Sequence, residues 1–364
     1  MAPFSLLIQT NSPGEVSTWL RPVVTTFKSM SPDSTINVFL TPCQYASGKE
    51  ADVARSIEGV TEVFTPRQTI KHIKTWPWKQ KKNQNGAVLY LGGDPLYSHL
   101  LGLKYGYPVY GYTEHPTFSK RFFTHLFYKH IDGDLMGDRL LSYLNHESKP
   151  IPTDPYCLFF TGSRLGHFQN LLPFYNDCIS IIQKQHPDFR AKIQISPFIP
   201  AEIAANYIGN FPDCDIYTDP SLDRLKNAKL LITIPGSNTA EAMYLHVPMI
   251  VFIPLNNPET LIFDGLPGLL AKLPYTGALI QKSIIWYLSK RPRKNYALPN
   301  IIAGKSIVPE KAGILTAAEV AADIINLYYN QEKLAQIQTN LSSIPKPQPV
   351  SEKICKKILD VNQS

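Results

Sequence analysis

The chain has 364 residues, 44% of them hydrophobic and 18% charged, so it is neither disordered nor too small to build a core without disulfides or a metal. At roughly 150 residues per domain, that length predicts two domains. Thirty-six Lys and Arg against 29 Asp and Glu leave a net charge of +7, which suits an anionic partner: nucleotide, phosphate, nucleic acid or membrane surface. The cysteines (Cys43, Cys157, Cys178, Cys214, Cys355) show no C-x-x-C spacing, which fits a reducing compartment rather than a disulfide framework. The start lacks the basic segment of a secretory signal, and no apolar stretch approaches the roughly 18 residues of a spanning helix. The expected location is cytoplasmic, at most peripheral on the inner membrane face.

Short apolar runs recur along the chain with room for a helix between them. In the first half they are Ser5–Thr10, Ile36–Thr41, Thr61–Thr65, Ala87–Leu91 and Pro108–Tyr112. In the second half they are Tyr156–Phe160, Lys192–Ser196, Asp215–Thr218, Leu230–Ile234 and Pro248–Ile253. Continuous rather than alternating runs predict strands buried on both faces, the βαβ pattern of a parallel sheet. The proline-dense segment Ser148–Pro155 predicts a linker. The fold class expected is α/β, with two Rossmann-like parallel-sheet domains over 1–150 and 156–315 facing a central cleft. The last part, 316–364, predicts C-terminal helices packing back toward the first domain, opening with a capping box at Thr316 and Glu319.

Ligands of such sheets lie at the carboxyl ends of the strands, which directs attention to three segments of the second half. After Cys157–Phe160 comes Thr161-Gly162-Ser163-Arg164, followed by a helix carrying Leu171, Leu172, Tyr175, Cys178 and Ile182 at helical spacing. Gly162 permits close backbone approach, Ser163 and the first helical N–H groups can donate to an anion, and Arg164 adds a fork for phosphate oxygens. An ordinary strand–helix turn explains the tetrapeptide alone as well. After Leu230–Ile234 comes Gly236-Ser237-Asn238-Thr239-Ala240-Glu241. Glu241 there either reaches a ribose diol or stabilises the helix dipole. The third segment, Leu298-Pro299-Asn300 to Gly304-Lys305, reads as a ligand loop or as plain turn chemistry.

These three segments, in this order, resemble the lipid-A-disaccharide synthases, inverting glycosyltransferases of the two-Rossmann GT-B type. The resemblance covers 156–313 and implies a UDP-sugar donor held by the second half. Gly162, Ser163, Arg164, Gly236, Ser237 and Thr239 would contact the diphosphate, Glu241 the ribose, and Asn300 would lie near the donor. The first half departs from the family. Its glycine loop reads Asn11-Ser12-Pro13-Gly14-Glu15, Gly92-Gly93-Asp94-Pro95 stands for the family's aspartate after the fourth strand, and Glu114-His115-Pro116 replaces a Trp-containing segment. The chain is therefore similar to divergent relatives of that family with an Asn-x-Pro-Gly-Glu opening. Asn11, Gly14 and Glu114 are assigned to the acceptor loops.

An inverting transfer needs a base for the acceptor hydroxyl and stabilisation of the departing UDP. Asp94 and Glu15 are the candidate bases and His115 the third. Helix N-termini and Arg164 would serve the leaving group, so no cofactor and no metal are expected beyond the UDP-sugar co-substrate. Between Glu62 and Asp94 there is no acidic residue, but there are six Lys or Arg residues with Trp76 and Trp78, an interfacial signature. Phe118–Lys129 is expected as a helix with Phe122 and Phe123 on an apolar side. Together these predict contact with an anionic membrane surface, where a lipid or phosphosugar acceptor would be met. The resemblance also allows a homodimer. Rival readings are another UDP-sugar enzyme such as a 2-epimerase, and a non-catalytic nucleotide-sugar or nucleic-acid binder. Nucleic acid is disfavoured because no RNA-binding signature accompanies the basic stretches.

Overall fold

The computed structural model describes residues 3–43, 46–75, 85–114, 120–145, 154–208, 214–219, 221–254, 256, 295–346 and 348–361. The chain divides into two units, one of residues 1–147 with 346–364 and one of residues 148–345. Trp76, Trp78, His115 and most of the linker segment Ser148–Pro155 lie outside the described residues.

In the first unit, β1 (Ser5–Thr10), β2 (Thr35–Leu40), β3 (Glu62–Phe64), β4 (Gly86–Tyr90), β5 (Val109–Thr113) and β6 (His125–Tyr128) form one sheet in the order 3-2-1-4-5-6. Every neighbouring pair is parallel. Leu6, Leu7, Ile8, Val88 and Leu89 are buried, as continuous apolar runs require when crossover helices cover both sheet faces. The second unit repeats the plan with β7 (Cys157–Phe160), β8 (Ala191–Gln194), β9 (Asp215–Tyr217), β10 (Leu230–Thr233), β11 (Met249–Pro254) and β12 (Glu310–Gly313), in the order 12-11-10-7-8-9. Counted within each unit, both sheets have the order 3-2-1-4-5-6 of a dinucleotide-type Rossmann fold.

Two strands differ from the sequence expectation. Of the expected helix Phe118–Lys129, Phe118 and Ser119 lie outside the described residues, and the rest is not one helix: 125–128 pairs in parallel with β5, with Leu126 and Phe127 buried. A short aromatic run satisfies both periods, and backbone pairing at the sheet edge decides between them. β12 has almost no apolar signature and is held by its parallel pairing to β11.

The tail also divides differently from the expectation for 316–364. Thr316 and Glu319 form the predicted capping box of the helix Ala317–Tyr328. That helix buries Val320, Ile324, Leu327 and Tyr328 in the core of the second unit, and the helix Gln331–Ser342 stays with it. Only the last helix, Ser351–Val361, belongs to the first unit, where it packs on the helix Arg21–Met30. Ile354, Cys355 and Ile358 are fully buried there. The Asp138 carboxylate accepts the backbone N–H groups of Val350 at 2.8 Å and Ser351 at 3.1 Å, and so caps this helix from another part of the chain. Asp138→Ala removes that cap and should destabilise the protein by about 1–2 kcal/mol, read as a lower denaturant midpoint; an unchanged midpoint would show that the cap contributes nothing.

Candidate active site

Strand order reverses between β1 and β4 in the first unit and between β7 and β10 in the second. At such a switch point the two following loops diverge and leave a crevice at the strands' carboxyl ends. Four of the six segments singled out from the sequence flank these two positions: 11–15 after β1, 92–94 after β4, 161–164 after β7 and 235–237 after β10, whereas Glu114 follows β5 and 298–305 precedes β12.

In the first unit, Ser12 and Glu15 form a capping box. The Glu15 N–H donates to Ser12 Oγ, while Glu15 Oε2 accepts the N–H groups of Asn11 at 3.2 Å and Ser12 at 3.1 Å. Burial outweighs these bonds and pushes the Glu15 carboxyl up to about 6. The Gly14 carbonyl accepts the hydroxyls of Ser17 and Thr18. The chain then continues through a π-helical turn, Val16–Leu20, a form that recurs at functional sites.

The β4 loop is built onto Glu15. A Cβ on Gly92 would fall 2.1 Å from the Glu15 carboxyl carbon, so only glycine fits between them. Gly93 has φ +86°, and a Cβ there would lie 2.6 Å from Thr41 Oγ and 2.9 Å from the Asn11 amide nitrogen. Gln9, which the sequence reading does not single out, fixes this loop. Its buried amide donates to the carbonyls of Gly92 and Asp94 at 2.8 and 2.9 Å, and its oxygen accepts from Ser98 Oγ. Tyr90 Oη donates to the Gly93 carbonyl. Asp94 is exposed and caps the helix Pro95–Tyr105, with Oδ1 accepting the Leu96 N–H at 2.9 Å. Glu114 pairs with Lys129 at 2.6 Å.

In the second unit, Gly162 has φ +81° and turns the chain from the strand into the helix Leu165–Gln185. Leu171, Leu172, Tyr175, Cys178 and Ile182 are buried there, as their spacing predicts. The N–H groups of Leu165, Gly166 and His167 stand ahead of the first intrahelical bond, Phe168 N–H to the Arg164 carbonyl. Gly236 precedes the helix Ser237–Tyr244 on the other side of the switch point. Glu241 is 7% exposed. Thr10, at the end of β1, and Thr161, just after β7, each hold a buried hydroxyl with no hydrogen-bond partner among the described residues.

Three residues assigned from sequence are used otherwise. Asn300 is fully buried; its amide donates to the Val308 carbonyl at 2.9 Å and its oxygen accepts the N–H groups of Ile307 and Val308 at 2.7 and 2.9 Å. It ties the helix Leu298–Ala303 to the approach to β12. Thr239 is buried and donates its hydroxyl to the Gly236 carbonyl at 2.7 Å, closing its own helical turn. Phe123 packs inward against His99 and Tyr90, so Phe122 alone of that pair is exposed. Two Asp-x-Asp spacings, a pattern able to hold a metal, also occur in the chain. Asp132 is engaged by Lys353 and Asp134 by Lys129; Asp215 faces Lys192, and Asp213 lies outside the described residues. Neither spacing adjoins a switch point.

No family model matches the chain. A lipid-A-disaccharide synthase of Acinetobacter baylyi is 29% identical over 171 residues, covering 44% of this chain and 37% of the relative. The match thus spans little more than a third of that relative's length. Among solved structures, Acinetobacter baumannii MurG is similar at TM-score 0.52 and 11% identity, with 98% of this chain and 99% of that one covered. The UDP-GlcNAc 2-epimerase of Neisseria meningitidis, bound to UDP-GlcNAc, is similar at TM-score 0.53 and 12% identity, with 99% of each chain covered. S. aureus MnaA, in a co-structure with UDP, gives TM-score 0.52 and 12% identity, covering 100% of this chain and 98% of that one. The fold is that of the GT-B proteins. At these identities the likeness is one of fold.

Asn300→Ala would strand two N–H groups and a carbonyl in the core. It should lower stability by about 2–4 kcal/mol, whereas a ligand contact would lower affinity and leave the melting temperature unchanged.

Proposed function

We propose that the protein is a UDP-sugar-dependent hexosyltransferase resembling lipid-A-disaccharide synthase. It transfers an N-acetylglucosamine-type sugar, acylated or not, to a lipid or phosphosugar acceptor with inversion, in glycolipid synthesis. The observation that carries this reading is the Thr161–Arg164 loop and the Gly236–Ser237 turn flanking one switch point. Together they offer glycine, hydroxyl, guanidinium and two helix N-termini, the equipment for a diphosphate. The partial sequence match to the Acinetobacter baylyi enzyme supports the sugar class.

In this reading the acceptor oxygen attacks the anomeric carbon while Glu15 takes its proton. The bond to the β-phosphate breaks with its electron pair on the departing UDP, which Arg164 and the helix N-termini stabilise. Glu15 suits the base role better than Asp94, because burial brings its proton affinity close to neutrality and Asp94 serves as a helix cap. A base must be ionised, so turnover rises with pH through about 6 and is lost below it. Glu15→Gln should cut turnover about 100- to 10,000-fold with UDP binding retained, while Asp94→Asn, which keeps the cap, stays near wild type. The reverse order would move the base to Asp94. The primary test is incubation with UDP-2,3-diacylglucosamine and monoacylated or diacylated acceptors, followed by mass spectrometry. A new glycoside with released UDP supports transfer; interconverted UDP-sugars without released UDP would make it an epimerase.

An exposed apolar surface in the first unit supports an acylated acceptor met at a membrane. Leu96 (56% exposed) and Leu103 (69%) lie two turns apart on the helix Pro95–Tyr105, which begins at Asp94. Phe122 (57% exposed) adjoins that helix through His99, at 5.5 Å between rings, and exposed Lys120 and Arg121 flank it. Apolar tips ringed by cations suit an anionic lipid surface. Among the described residues no helix is long and apolar enough to cross a membrane. The protein should co-sediment with phosphatidylglycerol vesicles and less with phosphatidylcholine, and the pair Leu103→Ser, Phe122→Ser should weaken this. Equal binding to both vesicles would refute the surface.

A further inference from the structure

His167 is the third residue of the helix Leu165–Gln185 and belongs to no motif that the sequence singles out. A Cβ placed on Gly162 would lie 3.6 Å from both the Cβ and Nδ1 of His167, so the imidazole flanks the turn of the β7 loop. Burial, and then the charge of Arg164 on the same loop, bring the imidazole down to about 4. From the β10 side, Ile234 reaches the same position and brings no charge. The other titratable side chain of the two switch-point loops is Glu241, itself buried. Thr161, on the strand side of Gly162, holds a fully buried hydroxyl with no partner among the described residues. A buried polar group of this kind costs free energy until something pairs with it.

Burial and the Arg164 charge disfavour the His167 imidazolium in the protein alone. Beside two phosphates the balance reverses, because negative charge favours the imidazolium. We propose that His167 is a diphosphate contact that takes up one proton from solvent as a nucleoside-diphosphate sugar binds, and then donates an N–H to the phosphate. When the glycosidic bond breaks, its electron pair stays on the β-phosphate oxygen. The diphosphate gains one negative charge at that moment and meets two cations, Arg164 and His167, rather than one. The inference rests on the donor-site reading above and deepens it.

The test is calorimetric titration of the full chain with UDP-N-acetylglucosamine, whose diphosphate does not itself titrate between pH 5 and 8. Buffers of different ionisation enthalpy separate proton uptake from binding. The unaltered protein should take up as much as one proton on binding. Its affinity should rise as pH falls from 7.5 to 5.5, approaching tenfold per pH unit below the pKa of the bound state. Protonation of Glu241 would change affinity in the opposite direction, since it weakens a carboxylate–diol contact. His167→Gln should bind without proton uptake, lose the pH dependence and be several-fold weaker at pH 5.5, with an unchanged melting temperature. Binding by the unaltered protein without proton uptake, or an unaltered pH profile in the variant, overturns the role of His167 alone. No binding of the nucleotide sugar by the unaltered protein removes the donor-site reading and this proposal together.

Discussion

Parallel pairing imposes the geometry on which the rest of this molecule depends. In a sheet whose strands all run one way, every carboxyl end emerges on the same edge, and the helices that follow present their N-termini there. With the order 3-2-1-4-5-6, the chain leaves the first and fourth strands in opposite directions and opens a crevice between their loops. The molecule does this twice. Backbone N–H groups and glycine-bearing turns therefore gather at two places before any side chain is considered, and the candidate chemistry in each unit elaborates that electropositive edge.

The two crevices are furnished differently. In the first unit a carboxylate is wedged against a glycine: Glu15 abuts Gly92, and Gln9 holds the far side of the loop through two backbone carbonyls. A side chain at position 92 would have to displace the Glu15 carboxyl. In the second unit a cation and a hydroxyl, Arg164 and Ser163, stand with the neutral imidazole of His167 around Gly162. Under the proposed function this contrast would divide the labour, with proton removal in one unit and anion binding in the other.

Most of the sheet architecture is legible in the sequence because strands buried on both faces must be continuously apolar. The runs beginning at Ser5 and Leu230 mark β1 and β10 without reference to anything distant. β6 is ambiguous since Phe122, Phe123, Leu126 and Phe127 fit a helical face as well as a strand, and only pairing with β5 decides. β12 is silent because Glu310–Gly313 is held by backbone bonds at a sheet edge. For the site, glycine and arginine loops announce themselves, whereas the use of a polar side chain depends on what it meets. Asn300 beside a proline looks like a ligand loop until Val308 supplies its partners. Gln9 and His167 lie inside ordinary elements, and no local pattern distinguishes them.

The last helix gives the chain a particular order of assembly. Residues 148–345 form a body that has all of its own strands before the final residues are made. In the first unit the helix Arg21–Met30 meets the helix Leu135–Asn145 on one side, and its other covering comes only with Ser351–Val361. During synthesis, the flank that the last helix covers therefore waits while residues 148–345, some two hundred residues, are made. Removing residues 351–361 would therefore strike the unit that carries Glu15, more than three hundred residues away in sequence, and leave residues 148–345 whole.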